Sequence, residues 1–165
     1  MNTTSTAAGG AANIGNQLLD LFANGGTLGW IFDYEDADYE VLYALGHSMY
    51  AQARYSDALR VFGYLVTCNH MEKRFMNAFA STLQMLGGYK DAIKYYSLAS
   101  VMDMSDPLPT FHTAECMNAL GMRDEAREAL GYVLRQSTAP QYAELAQRAR
   151  AMLELLGGAA APASH

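Results

Sequence analysis

Apolar residues recur along this chain at the spacing of helix faces. Ile14, Leu18, Leu21 and Phe22 fall three and four apart, an apolar stripe on a helix of about twelve residues. A helix that short is marginal in water on its own, so its stripe must dock, either on the helices that follow or on a second copy. Near the other end Tyr142, Leu145, Ala149, Met152, Leu153 and Leu156 form a second stripe, with Glu144, Gln147, Arg148 and Glu154 turned elsewhere. They predict a helix over 141–156, stopped by Gly157–Gly158. The flanking residues 1–12 and 157–165 are mostly small and are expected to be loose tails.

Between the two stripes the pattern repeats. RYSDALRVFGYL, GYKDAIKYYSLA and MRDEAREALGYV are variants of one segment, each 34 residues after the last. Ala58, Ala92 and Ala126 hold one small-residue position, and Gly46, Ala80 and Ala114 hold another, twelve residues upstream. Phe62, Tyr96 and Leu130 keep the step with a bulky side chain, and Asp57, Asp91 and Glu125 with an acid. A period of 34 with two fixed small positions is the tetratricopeptide signature, a helix–turn–helix unit that stacks on its neighbours. Small residues sit where two backbones approach closest, and the bulky residue one turn later fills the space between units. The links fall at Ala53–Arg54–Tyr55, Gly87–Gly88–Tyr89 and Gly121–Met122–Arg123, where glycine in the second and third suits a left-handed helix C-cap.

The sequence therefore predicts an all-α fold of three tandem tetratricopeptide helix pairs, 39–72, 73–106 and 107–140. An N-terminal helix and connecting turn precede them over 13–38, and a capping helix follows over 141–156, because an open stack must cover the apolar faces at its ends. The usual aromatic at the fourth repeat position is replaced by Leu42, Met76 and Thr110, and the usual proline near the repeat end is missing. Pro107 and Pro109 instead stiffen the start of the third pair, where a helix N-terminus tolerates them.

Composition narrows the function. Apolar residues make up 51% of the chain, enough for a packed core, and the net charge of −6 argues against nucleic acid as a partner. No run of apolar residues reaches membrane-spanning length, and the first residues lack the basic and apolar regions of a secretory signal, so a cytoplasmic protein is expected. Two cysteines, Cys68 and Cys116, are too few for a disulfide framework and suit reduced, buried thiols. His112 with Cys116, and Cys68 with His70, are close enough to suggest metal ligands, but no C-x-x-C or H-E-x-x-H pattern supports either pair. The glycine pairs lack the phosphate-loop lysine and no motif presents a nucleophile, so neither a cofactor nor an enzyme activity is expected. Ten methionines and eleven tyrosines are compatible with a groove that accepts extended peptide.

Particular stretches carry a closer likeness. The turn Gly25–Gly26–Thr27–Leu28, the run Leu42–Tyr43–Ala44–Leu45–Gly46, and Phe111–His112 with Ala114–Glu115–Cys116 resemble the class II chaperones of bacterial type III secretion systems. The likeness runs from about residue 14 to about residue 156 and includes the order of helices. It implies a bacterial cytoplasmic virulence chaperone that binds hydrophobic, pore-forming translocator proteins and keeps them soluble and ready for secretion. An extended segment near the client's N-terminus would lie in the concave groove of the repeats. It also implies a homodimer, assigned here to Ile14, Leu18, Leu21 and Phe22. An effector chaperone, or a co-regulator of transcription working through an activator protein, is the alternative.

In tetratricopeptide stacks the first helix of each pair lines the concave face, with repeat positions 5, 9 and 12 pointing into it. Here those are Tyr43, His47 and Tyr50, then Asn77, Ser81 and Gln84, then Phe111, Glu115 and Asn118, with Met85 as an apolar edge. Tyr43, Tyr50 and Phe111 could wall pockets for side chains, while Asn77, Gln84 and Asn118 could bond a peptide backbone. Tyr43 and Tyr50 match aromatic pocket positions of the family, whereas His47 stands where an aromatic phenyl ring is usual. A carboxylate-clamp adaptor is disfavoured, because none of these inner positions carries Lys or Arg and only Arg74 lies near the rim.

Overall fold

The computed structural model describes Asn24, residues 26–31 and residues 33–157. A short α1 (Leu28–Ile31) leads into three helix pairs: α2 (Asp36–Ala51) with α3 (Tyr55–Cys68), α4 (Lys73–Met85) with α5 (Tyr89–Met102), and α6 (Leu108–Ala119) with α7 (Arg123–Gln136). A single 3₁₀ turn at Pro140–Tyr142 then opens α8 (Ala143–Leu155). The all-helical tetratricopeptide fold is the one the period predicts. Ile14, Leu18, Leu21, Phe22 and Gly25 lie outside the described residues.

Local chemistry sets the helix ends. The backbone N–H of Glu35 donates to Asp38 Oδ2 at 3.0 Å, satisfying one of the donors that a helix start leaves free. Glu72 Oε1 accepts from the Arg74 N–H at the head of α4, and Asp106 Oδ1 accepts from the Leu108 N–H at the head of α6. At the first-helix C-termini, Ala53, Gly87 and Gly121 all take left-handed backbone, with φ of 58°, 78° and 78°. The two glycines adopt it freely, while Ala53 holds it against the Cβ clash.

The small positions are fully closed: Ala58, Ala92, Ala126, Ala80 and Ala114 have no exposed surface, and Gly46 is buried. Each pair is completed by the helix after it. Phe62 and Leu65 of the first pair pack with Phe75 and Ala78 of α4, Tyr96 of the second with Cys116 of α6, and Leu130 and Val133 of the third with Leu145 and Ala149 of α8. In this packing α8 takes the place of a fourth first helix. Burying one such large side chain contributes roughly 1.5–3 kcal/mol, whereas ion pairs on the surface such as Arg74 with Glu40 are screened by water and add little. The apolar seam, not the charges, carries the stack.

Polar links hold the helix ends and connections in place, one within the second pair and one between the second and third. Lys73 Nζ bridges Asp103 Oδ2 at 2.7 Å and Asp106 Oδ2 at 3.0 Å, and the Gln136 amide donates to the Met104 carbonyl at 2.9 Å. Bonds from Lys73 and Ser105 hold the Asp103 carboxyl at about 2. Both cysteines are free and buried, and burial, helped by the charge of Glu115, pushes the Cys116 thiol up to about 12. Among the described residues no helix is long and apolar enough to cross a membrane.

Candidate functional site

Helices α2, α4 and α6 lie side by side and share one face, on which a cleft of about 190 Å³ opens. Tyr43 and His47 of α2 form one wall, Asn77, Ala78 and Ser81 of α4 the floor, and Leu108 and His112 of α6 the opposite wall, with Tyr96 of α5 beneath. The helical period explains the grouping. Positions four apart stand one above another on a helix, so Tyr43 with His47, Asn77 with Ser81, and Leu108 with His112 each present a pair to the same side.

The aromatic wall is held from behind. The Tyr43 ring meets His47 edge-on at 4.5 Å between centroids and lies 5.6 Å from Phe75, while the Arg74 guanidinium sits 5.2 Å over it. Burial raises the Tyr43 phenol above its ordinary range, so it enters the cleft as a neutral hydroxyl. His47 also rests edge-on against Phe62 at 5.4 Å. Farther along the face, Tyr50 Oη and Ser81 Oγ lie 2.9 Å apart and tie α2 to α4.

A polar cluster closes the α6 side. Glu115 Oε2 lies 2.8 Å from His112 Nδ1 and accepts from Gln84 Nε2 at 3.2 Å, while Glu115 Oε1 accepts from Arg148 at 3.4 Å. Gln84 Oε1 accepts in turn from the Tyr96 hydroxyl at 2.9 Å. Burial pushes the Glu115 carboxyl up, but the bonds from His112 and Gln84 with the charges of His112 and Arg148 outweigh it. The group stays below the ordinary glutamate range. The Tyr96 phenol, in contrast, is raised by burial well above its usual range.

Four of the sequence-derived residues, Tyr43, His47, Asn77 and Ser81, thus meet in the cleft. Tyr50, Gln84 and Glu115 stand beside it as bonded supports. Phe111 does not reach the open face: it is 2% exposed, packed with Leu130 and Leu145 and covered by the Arg148 guanidinium 4.6 Å from its ring. Met85 and Asn118 are exposed outside the cleft lining. Sequence reasoning missed Ala78, Tyr96, Leu108 and His112 as lining residues. The period marks Tyr96 as filler between units, although the hydroxyl that distinguishes it from Phe62 is a sign of a polar contact.

Comparison with known proteins places this geometry. A tetratricopeptide repeat family model matches residues 76–106. The low calcium response locus protein H of Yersinia pseudotuberculosis is 33% identical over 134 residues, covering 80% of this chain and 79% of that protein. The fold is similar to a type III secretion complex from Aeromonas hydrophila, with a TM-score of 0.81 at 32% identity over 86% of this chain and 95% of that one. It is also similar to the Yersinia enterocolitica chaperone SycD solved with a peptide of the translocator YopD. There the TM-score is 0.71 at 33% identity, covering 74% of this chain and 95% of that one. A three-pair stack with this cleft and these relatives belongs to the class II translocator chaperones of type III secretion systems.

Proposed function

We propose that this chain is a cytoplasmic chaperone that binds an extended segment of a hydrophobic translocator along the α2–α4–α6 face and keeps that client soluble and secretion-competent. The observation that carries the reading is the cleft itself, which takes lining residues from the first helix of every pair. Its aromatic walls suit apolar side chains of a strand-like peptide, and its amide, hydroxyl and imidazole groups suit the backbone polar groups between them. SycD, similar in fold, holds a translocator peptide. The titratable groups of the cluster are bonded to one another, an arrangement that suits a fixed binding surface.

Ile14, Leu18, Leu21 and Phe22 are proposed to join two copies, because their stripe needs an apolar partner. The test of function is affinity capture of the tagged chain from its native cytosol while secretion is blocked, with mass spectrometry of the bound proteins. A stoichiometric partner with apolar, membrane-inserting segments is expected. A soluble effector or an activator protein in its place, or no stoichiometric protein partner, overturns the translocator assignment.

A further inference from the structure

The His112–Glu115 pair lies at the edge of the cleft, and its chemistry is more constrained than that of the other polar groups there. Glu115 faces three nitrogen groups, on α4, α6 and α8: Gln84 Nε2, His112 Nδ1 and Arg148 Nη2. The Gln84 amide cannot turn over without losing the bond that its oxygen accepts from Tyr96, whose ring is 1% exposed. Gln84 therefore points its N–H₂ at Glu115 and holds the carboxylate in place.

An ionised carboxylate only accepts hydrogen bonds, so the hydrogen between it and His112 belongs to Nδ1. In the neutral ring that leaves Nε2 with its lone pair. The ring cannot swap the two nitrogens freely, because it stacks on Tyr96 with centroids 5.2 Å apart and planes 22° from parallel. No bond to Nε2 exists among the described residues, and His112 lines the cleft. Ser81 Oγ is engaged with Tyr50 and the Tyr96 hydroxyl with Gln84, while Asn77 Oδ1, buried in the floor, is a second acceptor without a partner among the described residues. A peptide laid along the face brings backbone N–H groups that lose water and need acceptors.

We infer that His112, fixed by Glu115, presents Nε2 as a hydrogen-bond acceptor for a backbone N–H of the client segment, which makes Glu115 a positioning residue of the binding site. This rests on the peptide-binding reading of the cleft. It explains why an acid and a glutamine occupy inner positions of the second and third pairs. They act through the imidazole and not on the peptide.

The test has two arms. In the first, the full chain is labelled with ¹⁵N-histidine and the ring nitrogens are observed by NMR at about pH 8, above the ordinary histidine range. His112 is expected as the neutral Nδ1–H form, and that preference is expected to disappear in Glu115→Ala. An Nε2–H form, an imidazolium at that pH, or a preference unchanged in Glu115→Ala overturns the inference. In the second arm, a synthetic copy of the YopD peptide is N-methylated at one residue at a time. Each version is titrated into the wild-type chain and into His112→Phe, which keeps a ring over Tyr96. One N-methyl group is expected to weaken wild-type binding about 3- to 10-fold and to cost the variant nothing comparable. Equal losses in both proteins overturn the inference alone. No binding of any version by the wild-type chain overturns the peptide-binding reading, and the inference with it.

Discussion

Gly46 gives the sharpest test of how the first pair is packed. It stands at the position where Ala80 and Ala114 stand in the later pairs, yet the space there is smaller. A Cβ added at Gly46 would lie 2.5 Å from Cε1 and 2.8 Å from Cζ of Phe62, far inside the roughly 3.5–4 Å of an ordinary carbon contact. Phe62 cannot retreat, because it is 1% exposed and hemmed in by Tyr43 and His47 at 6.0 and 5.4 Å between ring centroids. Two effects oppose each other in Gly46→Ala. Helix propensity favours alanine by about 1 kcal/mol, while forcing a methyl into a closed core costs about 1–3 kcal/mol. The colliding atoms belong to a buried ring rather than the end of a flexible chain, so the upper part of that range applies.

The net expectation is a loss of about 1–2 kcal/mol, or about 2–8 °C in Tm for a chain of this size. Urea unfolding followed by helical circular dichroism measures it, with an unchanged slope showing that the native state is the one affected. Repeat three supplies the compensating change. There Ala114 is matched by Leu130, which holds the position of Phe62. Gly46→Ala with Phe62→Leu should therefore lose about 1 kcal/mol less than the sum of the single changes. A Gly46→Ala variant as stable as the wild type, or strict additivity in the double variant, would refute the steric account.

Ala53→Gly should stabilise by about 0.5–1 kcal/mol, since relief of the left-handed strain exceeds the added entropy of the unfolded chain. A lower urea midpoint would contradict that assignment of strain. Asp103 has a folded-state pKa depressed to about 2, so its contribution is complete above the ordinary aspartate value of about 4 and fades as pH falls through 2. Asp103→Asn should accordingly flatten the fall in stability between about pH 4 and 2, as read from thermal midpoints; an identical slope would count against the Lys73 link. Tyr43→Ala should weaken client binding about tenfold, and Tyr50→Ala by less; unchanged affinity in both removes the groove assignment. Leu18→Asp with Leu21→Asp should leave only monomer in sedimentation, and a persistent dimer would move the interface elsewhere.

The architecture was legible because a repeat presents each of its positions to the same kind of neighbour. Ala58, Ala92 and Ala126 could be recognised as packing sites without a structure, since each faces the next helix of an identical stack. The same logic found left-handed caps at Gly87 and Gly121 but passed over Ala53, because an alanine does not announce that backbone by its type. It fails for the site, where function depends on departures from the repeat. Tyr43 and Phe111 hold the same repeat position. The hydroxyl of Tyr43 keeps it at the open face, while Phe111 has no polar end and is drawn under Leu145, Ala149 and Arg148. That outcome depends on α8, which has no counterpart within the period. Likewise Gln84, Tyr96, His112 and Glu115 come from three helices, and only their packed geometry makes one hydrogen-bonded cluster of them. Repetition fixes where the groove runs, and the residues that break the repetition decide what it can hold.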